Sequence, residues 1–310
     1  DIDDMTFQWD FGNGSFTSNQ SDSAIYTESA FQNKQYYIQL IAITDHGCRD
    51  TVVDSTTVYP TPNAVFTKSD TAGCGPLLID FTNNSQLNDT NYWDLGSGFS
   101  ISPADTQFLF PFVALRDTTY TIRLRTKSMN GCESDTAIQQ VTVWSQPIAA
   151  FTVADDSICH YDSFAFTNNS TGATVYSWDF DDGSSSSLTN PIHHYTKGSN
   201  PFNALDFSVT LIAATNHNCR DTTNQPIQVY PYTISRIGNT IDSFCSPTTI
   251  DFVNASTNYI SSLWNFGNGN TSTLTQPSFF YQNISNVTRN LMATLHTENA
   301  FGCVDDDTLR

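Results

Sequence analysis

One six-residue string, met four times, sets the terms for any fold of this chain. "WDFGNG" occurs at Trp9, "WDLGSG" at Trp93, "WDFDDG" at Trp178 and "WNFGNG" at Trp264, at intervals of 84, 85 and 86 residues. A string returning at a near-fixed period marks a tandem array, here with a unit the size of a small β-sandwich. The 310-residue length alone would suggest about two domains. The repeat predicts four instead: residues 1–60, 61–145, 146–231 and 232–310. The first copy lacks the segment that precedes the string elsewhere, and the last stops at "GCVDDDTLR", so the chain reads as a stretch of a longer array.

The surroundings of the string repeat as well. An opening segment reads "AAFTV" at Ala149 and "AVFTK" at Ala64, and "IDFTNNS" at Ile79 matches "FAFTNNS" at Phe164 and "IDFVNAS" at Ile250. After the tryptophan come "HHY" ending at Tyr195 and "FFY" ending at Tyr281. Then come the alternating segments "YYIQLIAIT" at Tyr36, "YTIRLRTKS" at Tyr120 and "FSVTLIAAT" at Phe207. Each unit that runs on closes on a segment such as "IQVYP" at Ile227. Period-two alternation, β-branched and aromatic residues, and Asn/Gly/Asp/Ser/Pro clusters between segments predict an all-β chain. In "WDFGNG" the tryptophan and phenylalanine, two apart, share one face of a strand, and Asn-Gly supplies a tight hairpin turn. Trp9, Trp93, Trp178 and Trp264 are therefore expected to anchor cores.

Net charge is −19, from 12 Lys+Arg against 31 Asp+Glu. Such a surface repels phosphate backbones, which argues against nucleic acid as a partner. No apolar run approaches the ~20 residues that a spanning helix needs. No Gly-x-Ser-x-Gly, His-Glu-x-x-His or phosphate loop occurs. Paired carboxylates for glycoside chemistry need a cleft that small sandwiches in a row do not offer. No catalytic residue and no cofactor is expected.

The tryptophan string, the upstream "FTNNS", the downstream "NPIHHY" (190–195) and the closing "GCRDT" together resemble polycystic-kidney-disease (PKD) repeats, in the two-cysteine variety of large secreted proteins of Bacteroidota. The resemblance covers essentially the whole chain. The second unit departs most, with "FLFPF" where the third has "PIHHY". It implies tandem immunoglobulin-like sandwiches of about seven strands, arranged end to end, and extracellular use as spacer or adhesive modules without enzymatic activity.

Seven cysteines fall on two positions: Cys74, Cys159 and Cys245 lie 19 residues before a tryptophan, and Cys48, Cys132 and Cys303 lie 39 after one, with Cys219 at 41. That regularity argues for a disulfide framework in an oxidising compartment. Pairing within units would join Cys74–Cys132, Cys159–Cys219 and Cys245–Cys303. In the implied sandwich, however, the first cysteine precedes the second strand and the second follows the sixth, at opposite ends. That puts them roughly 20–25 Å apart, against the ~7 Å a disulfide allows. Pairing across junctions, Cys74–Cys219 and Cys159–Cys303, is the favoured expectation. The proline-bearing linkers "VYPTP" and "VWSQP" favour stiffness.

Asp179, Asp181 and Asp182 in "DFDDG" resemble part of a calcium loop. Their counterparts are Asp10, Gly12 and Asn13 in the first unit and Asn265, Gly267 and Asn268 in the fourth, so the charge is not kept and turn chemistry is the better account. His193 and His194 match Phe279 and Phe280, which makes them strand residues. Asp-Thr before a small or apolar residue follows each second cysteine, at Thr51, Thr136, Thr222 and Thr308, and resembles the O-glycosylation signal of Bacteroidota. The plain alternative is strand initiation after a turn.

The expected function is that of a load-bearing, non-enzymatic segment of a bacterial cell-surface fibre, stalk or adhesin, the giant gliding-motility adhesins included. Its partners would be neighbouring repeats of the same chain, with surface polysaccharide or host and substratum ligands beyond them. The alternative is carbohydrate-binding or spacer modules of a secreted glycoside hydrolase or protease.

Overall fold

A computed structural model of the chain describes residues 5–27, 31–195, 203–238 and 243–309. The chain is all-β, with 26 strands among those residues and no helix, and it builds tandem immunoglobulin-like β-sandwiches. It divides into two compact units, Asp1–Ser145 and Gln146–Arg310.

In the first unit, the strands Phe16–Thr17, Thr6–Asp10, Lys34–Ile43 and Arg49–Val58 form one four-stranded sheet. The second copy of the repeat forms a full sandwich. A three-stranded sheet of Thr106–Phe110, Leu77–Asn83 and Phe66–Lys68 faces a five-stranded one of Ala72–Cys74, Ala137–Trp144, Thr118–Lys127, Thr90–Asp94 and Phe99–Ser102. Phe66, Ile79, Phe81, Trp93, Phe110, Ile122, Leu124, Val141 and Val143 form its core.

The second unit repeats that plan. Phe151–Val153, Ser163–Asn168 and Ile192–His194 form the smaller sheet. Ser157–Cys159, Arg220–Tyr230, Leu205–Ala214, Val175–Asp179 and Ser185–Ser186 form the larger. In the fourth copy Thr248–Asp251 pairs with Ser278–Tyr281, and Thr271–Ser272, Ser261–Asn265, Ala293–Glu298 and Val304–Leu309 form the second sheet.

Register is the same in every copy. The tryptophans pair with Leu40, Leu124, Leu211 and Leu295 of the long central strand. Because side chains alternate across a strand, this one pairing fixes which residues of the long strand enter the core. Trp93, Trp178 and Trp264 are 1%, 0% and 0% exposed. Trp9 is only half-buried. Among the described residues no second sheet faces it, and its indole is covered by Phe11, stacked at 5.9 Å and 3°.

The short strand that carries the first cysteine was not evident from the pattern. Ala72–Cys74 and Ser157–Cys159 run parallel to the last strand of their copies, with Cys74 opposite Trp144 and Cys159 opposite Tyr230.

Candidate functional site

The tryptophan hairpin is built by side-chain oxygens that substitute for backbone acceptors. In all four copies the residue after tryptophan accepts an amide two residues on: Asp10 from Gly12, Asp94 from Gly96, Asp179 from Asp181 and Asn265 from Gly267, at 2.8–3.0 Å. A second such turn follows, Asn13 from Ser15, Asp182 from Ser184 and Asn268 from Asn270. Only an oxygen is needed, so Asp and Asn interchange. This is why the charge varies from copy to copy.

The three calcium candidates are each engaged in that hairpin. The Asp181 backbone has φ +64°, where Gly12 and Gly267 have φ +70° and +80°. A Cβ at Gly12 would lie 2.4 Å from the Tyr37 carbonyl oxygen, and one at Gly267 would lie 2.6 Å from that of Met292. In the third copy the Asp181 side chain instead accepts the Ser208 amide at 3.0 Å. Asp182 pairs with His193 at 2.8 Å. Burial pushes the Asp182 carboxyl up, but Ser184 and His193 outweigh it and hold the group below its ordinary value. Among the described residues no group of three or more His, Cys, Asp or Glu side chains is placed to hold a metal.

His193 takes the place of an aromatic ring: it stacks on Phe180 at 4.0 Å and 6°, as Phe279 stacks on Phe266 at 4.2 Å and 19°. His194 Nδ1 lies 2.9 Å from the Asp162 carbonyl.

The "TNNS" and "VNAS" stretches are clamps. Asn83, Asn168 and Asn254 accept the amides of Ser85, Ser170 and Ser256, each at 2.9 Å. The serine hydroxyls then accept amides of the opening segment from Val65, Ala150 and Arg236. The Nδ2 atoms of Asn168 and Asn254 are buried without a hydrogen-bond partner.

The second cysteine sits in a turn held by a side chain four residues back. Cys48, Cys132, Cys219 and Cys303 donate their amides to Thr44, Ser128, Thr215 and Asn299 at 3.0–3.3 Å. Just beyond, Asp221 and Asp305 accept the amides of Ala149 and Ser235, tying this turn to the opening segment. Register therefore aligns Asp305, not Asp307, with Asp221. Thr222 pairs with Ile212 and Thr51 with Ile41, whereas Thr308 pairs with Thr294, two positions further along the strand. Thr51, Thr136, Thr222 and Thr308 are all exposed.

Cys159 is bonded to Cys303, with Cα atoms 5.7 Å apart and 144 residues between them in sequence. Cys48, Cys132 and Cys245 are free thiols. The within-repeat scheme, Cys74–Cys132, Cys159–Cys219 and Cys245–Cys303, is therefore not what the chain adopts. The reason is the ladder between Leu205–Ala214 and Arg220–Tyr230. Cys219 lies at its Ala214 end and Cys159 at its Leu205 end, roughly 30 Å away for ten residues at ~3.3 Å each.

Repeated sandwiches, asparagine and aspartate clamps and a long-range cystine define a repetitive β-sandwich protein. Residues 144–229 match the family model of the PKD domain. Among solved structures, the PKD1 domain of Epp from Vibrio anguillarum is 26% identical, covering 28% of this chain and 96% of that one (TM-score 0.23). The PKD1 domain of the metalloprotease PrtV from Vibrio cholerae is 29% identical, covering 27% and 98% (TM-score 0.23). A tetra-tandem repeat in the extending region of a large adhesion protein is 10% identical, covering 99% and 91% (TM-score 0.27). No curated protein matches the chain. No helix among the described residues is long and apolar enough to cross a membrane.

Proposed function

We propose that this chain is a non-enzymatic, extracellular structural segment of a long bacterial cell-surface fibre, stalk or adhesin. It carries tension and holds a distal region away from the cell. The four-repeat division, 1–60, 61–145, 146–231 and 232–310, is part of this reading.

The single observation that carries it is the Cys159–Cys303 bond. A cystine spanning 144 residues removes that length from what tension can extend. Cys74 stands in the same register on its own short strand as Cys159 does. On that equivalence we assign the second bridge as Cys74–Cys219, so that the two closed loops overlap along the sequence. The disulfide also supports an oxidising compartment, and a net charge of −19 favours a self-repelling segment.

The test is single-molecule extension of the whole chain held by its termini, oxidised and then reduced. The oxidised chain is expected to fall short of the reduced one by roughly 500 Å for the Cys159–Cys303 loop alone, at ~3.5 Å per residue. Equal extension in both states would overturn the proposal. O-glycosylation at Thr51, Thr136, Thr222 or Thr308 is a separate part of the reading, supported by their exposure. An intact mass of the secreted chain equal to that of the bare polypeptide would refute it.

A further inference from the structure

A cavity of about 650 Å³ opens beside the Cys159–Cys303 bond, and its lining is unlike the corresponding stretch of any other copy. Its walls include His160, Tyr161, Asp162, Tyr232, Gly302 and Asp305. In the other copies the two residues after the first cysteine are Gly75-Pro76 and Ser246-Pro247, both cis. Here they are His160 and Tyr161. Tyr232, two residues after Tyr230, stands where Thr61 follows Tyr59 and Gln146 follows Trp144. Three rings thus replace glycine or serine, proline, and threonine or glutamine at one junction.

The rings form a contiguous, angled cluster, with Tyr161 inclined at 72° to His160 and 56° to Tyr232. His160 contacts Tyr161 at 4.7 Å and Tyr232 at 5.2 Å, and the two tyrosines lie 5.4 Å apart. Tyr161 is 70% exposed and its backbone sits at φ +63°. A bulky aromatic residue is seldom found in that region, and strain of this kind persists where the surroundings impose it, often at ligand sites. Among the described residues, the hydroxyls of Tyr161 and Tyr232 and the carboxylate of Asp162 have no hydrogen-bond partner in the protein. Burial, and next the nearby His194, depress the His160 imidazole, which keeps that ring uncharged at neutral pH.

We infer that this cluster binds a pyranose unit of a neutral polysaccharide, with the open face of Tyr161 against the sugar's C–H face and the tyrosine hydroxyls and Asp162 meeting its hydroxyls. The volume lies in the usual range for small-ligand sites, about 300–1,000 Å³. Asp162, Asp305 and the net charge of −19 turn away anionic ligands. Tyr161, 70% exposed, leaves one ring face open, and a single open face suits the flat C–H side of a sugar. This inference stands apart from the load-bearing reading, because it concerns one junction and no tension.

The test is native affinity electrophoresis of the oxidised full chain in gels containing hydroxyethyl cellulose, xylan, galactomannan or glycol chitin. Retardation is expected in at least one gel. The paired change Tyr161→Gly and Tyr232→Thr, which keeps the left-handed turn accessible, is expected to weaken it roughly tenfold or more. Tyr161→Phe keeps most of it. Tyr232→Thr alone serves if the paired variant does not fold. No retardation in any gel, retardation undiminished in the tyrosine variants, or binding of tetramethylammonium in place of all four polysaccharides would each overturn the assignment.

Discussion

The hydroxyl of Tyr195 donates to the Phe180 carbonyl at 3.0 Å, and Tyr281 makes the same bond to Phe266 at 3.0 Å. Each bond ties the strand after the hairpin to the hairpin's own backbone, fifteen residues earlier. Tyr195→Phe leaves a buried carbonyl without its donor and is expected to destabilise its sandwich by about 1–2 kcal/mol. Burial first, then Asp182, Asp181 and Asp179, raise the Tyr195 phenol well above its ordinary value. The unfolded chain therefore releases this proton first, and stability falls as pH rises above about 10. Thermal unfolding from pH 8 to 11 is expected to show that alkaline decline in the native chain and a shallower one in Tyr195→Phe.

Trp178→Ala and Trp9→Ala separate a closed core from an open one. Removing the fully buried Trp178 is expected to cost about 3–5 kcal/mol. Removing Trp9, half-buried and covered by Phe11, is expected to cost less than half as much. Equal losses in denaturant titrations would contradict the one-sheet description of the first copy.

Gly267 and Gly269 both have positive φ, +80° and +90°, yet differ in surroundings. A Cβ at Gly267 meets Met292 backbone atoms within 3.0 Å, while one at Gly269 meets nothing within 4 Å. Gly269→Ala carries only the conformational penalty, about 1 kcal/mol. Gly267→Ala adds displacement of the Met292 backbone, just before the strand Ala293–Glu298, so its loss of thermal midpoint should be at least twice as large.

Asp94 accepts the amides of Gly96 and Gly98 and pairs with Arg123 at 2.9 Å. The Gly96 amide foremost, with help from Gly98 and Arg123, holds its carboxyl below the ordinary value against the opposing effect of burial. A depressed carboxylate stabilises the fold above its unfolded-state pKa of about 3.9, and that contribution is lost as pH falls through the folded value. Asp94→Asn keeps the amide acceptor and removes the titration. Its unfolding profile between pH 5 and 2 should be flatter than that of the native chain.

Much of this was legible from residue order. The period-two segments, the shared register of Trp93, Trp178 and Trp264, and the aromatic role of His193 all follow from local spacing, which sandwich packing then reinforces. Other features were not. A strand as short as "SIC" (157–159) carries no period, so its parallel pairing with the last strand has no local signal. The Asp182–His193 pair joins a residue of the hairpin turn to one eleven positions on, in the strand Ile192–His194. "DDDT" at 305–308 offers three aspartates for one place, and the register is decided by the amide Ser235 donates to Asp305 together with the strand pairing of Thr308 with Thr294. Tyr161, in a place proline holds in two other copies, carries no sequence signal of its own, because a turn position looks equivalent whatever side chain fills it.

The parallel pairing of Ser157–Cys159 with the last strand of its copy has a consequence for how the molecule yields. Once the Cys159–Cys303 bond is reduced, a pull toward the chain's start acts on the first of these strands, and a pull toward its end acts on the other, in opposite senses along a common axis. The strands must slide past each other, so their ladder breaks as a group and not link by link. Resistance of that kind grows with the number of links sheared together, and here the yielding element lies directly beside a covalent stop.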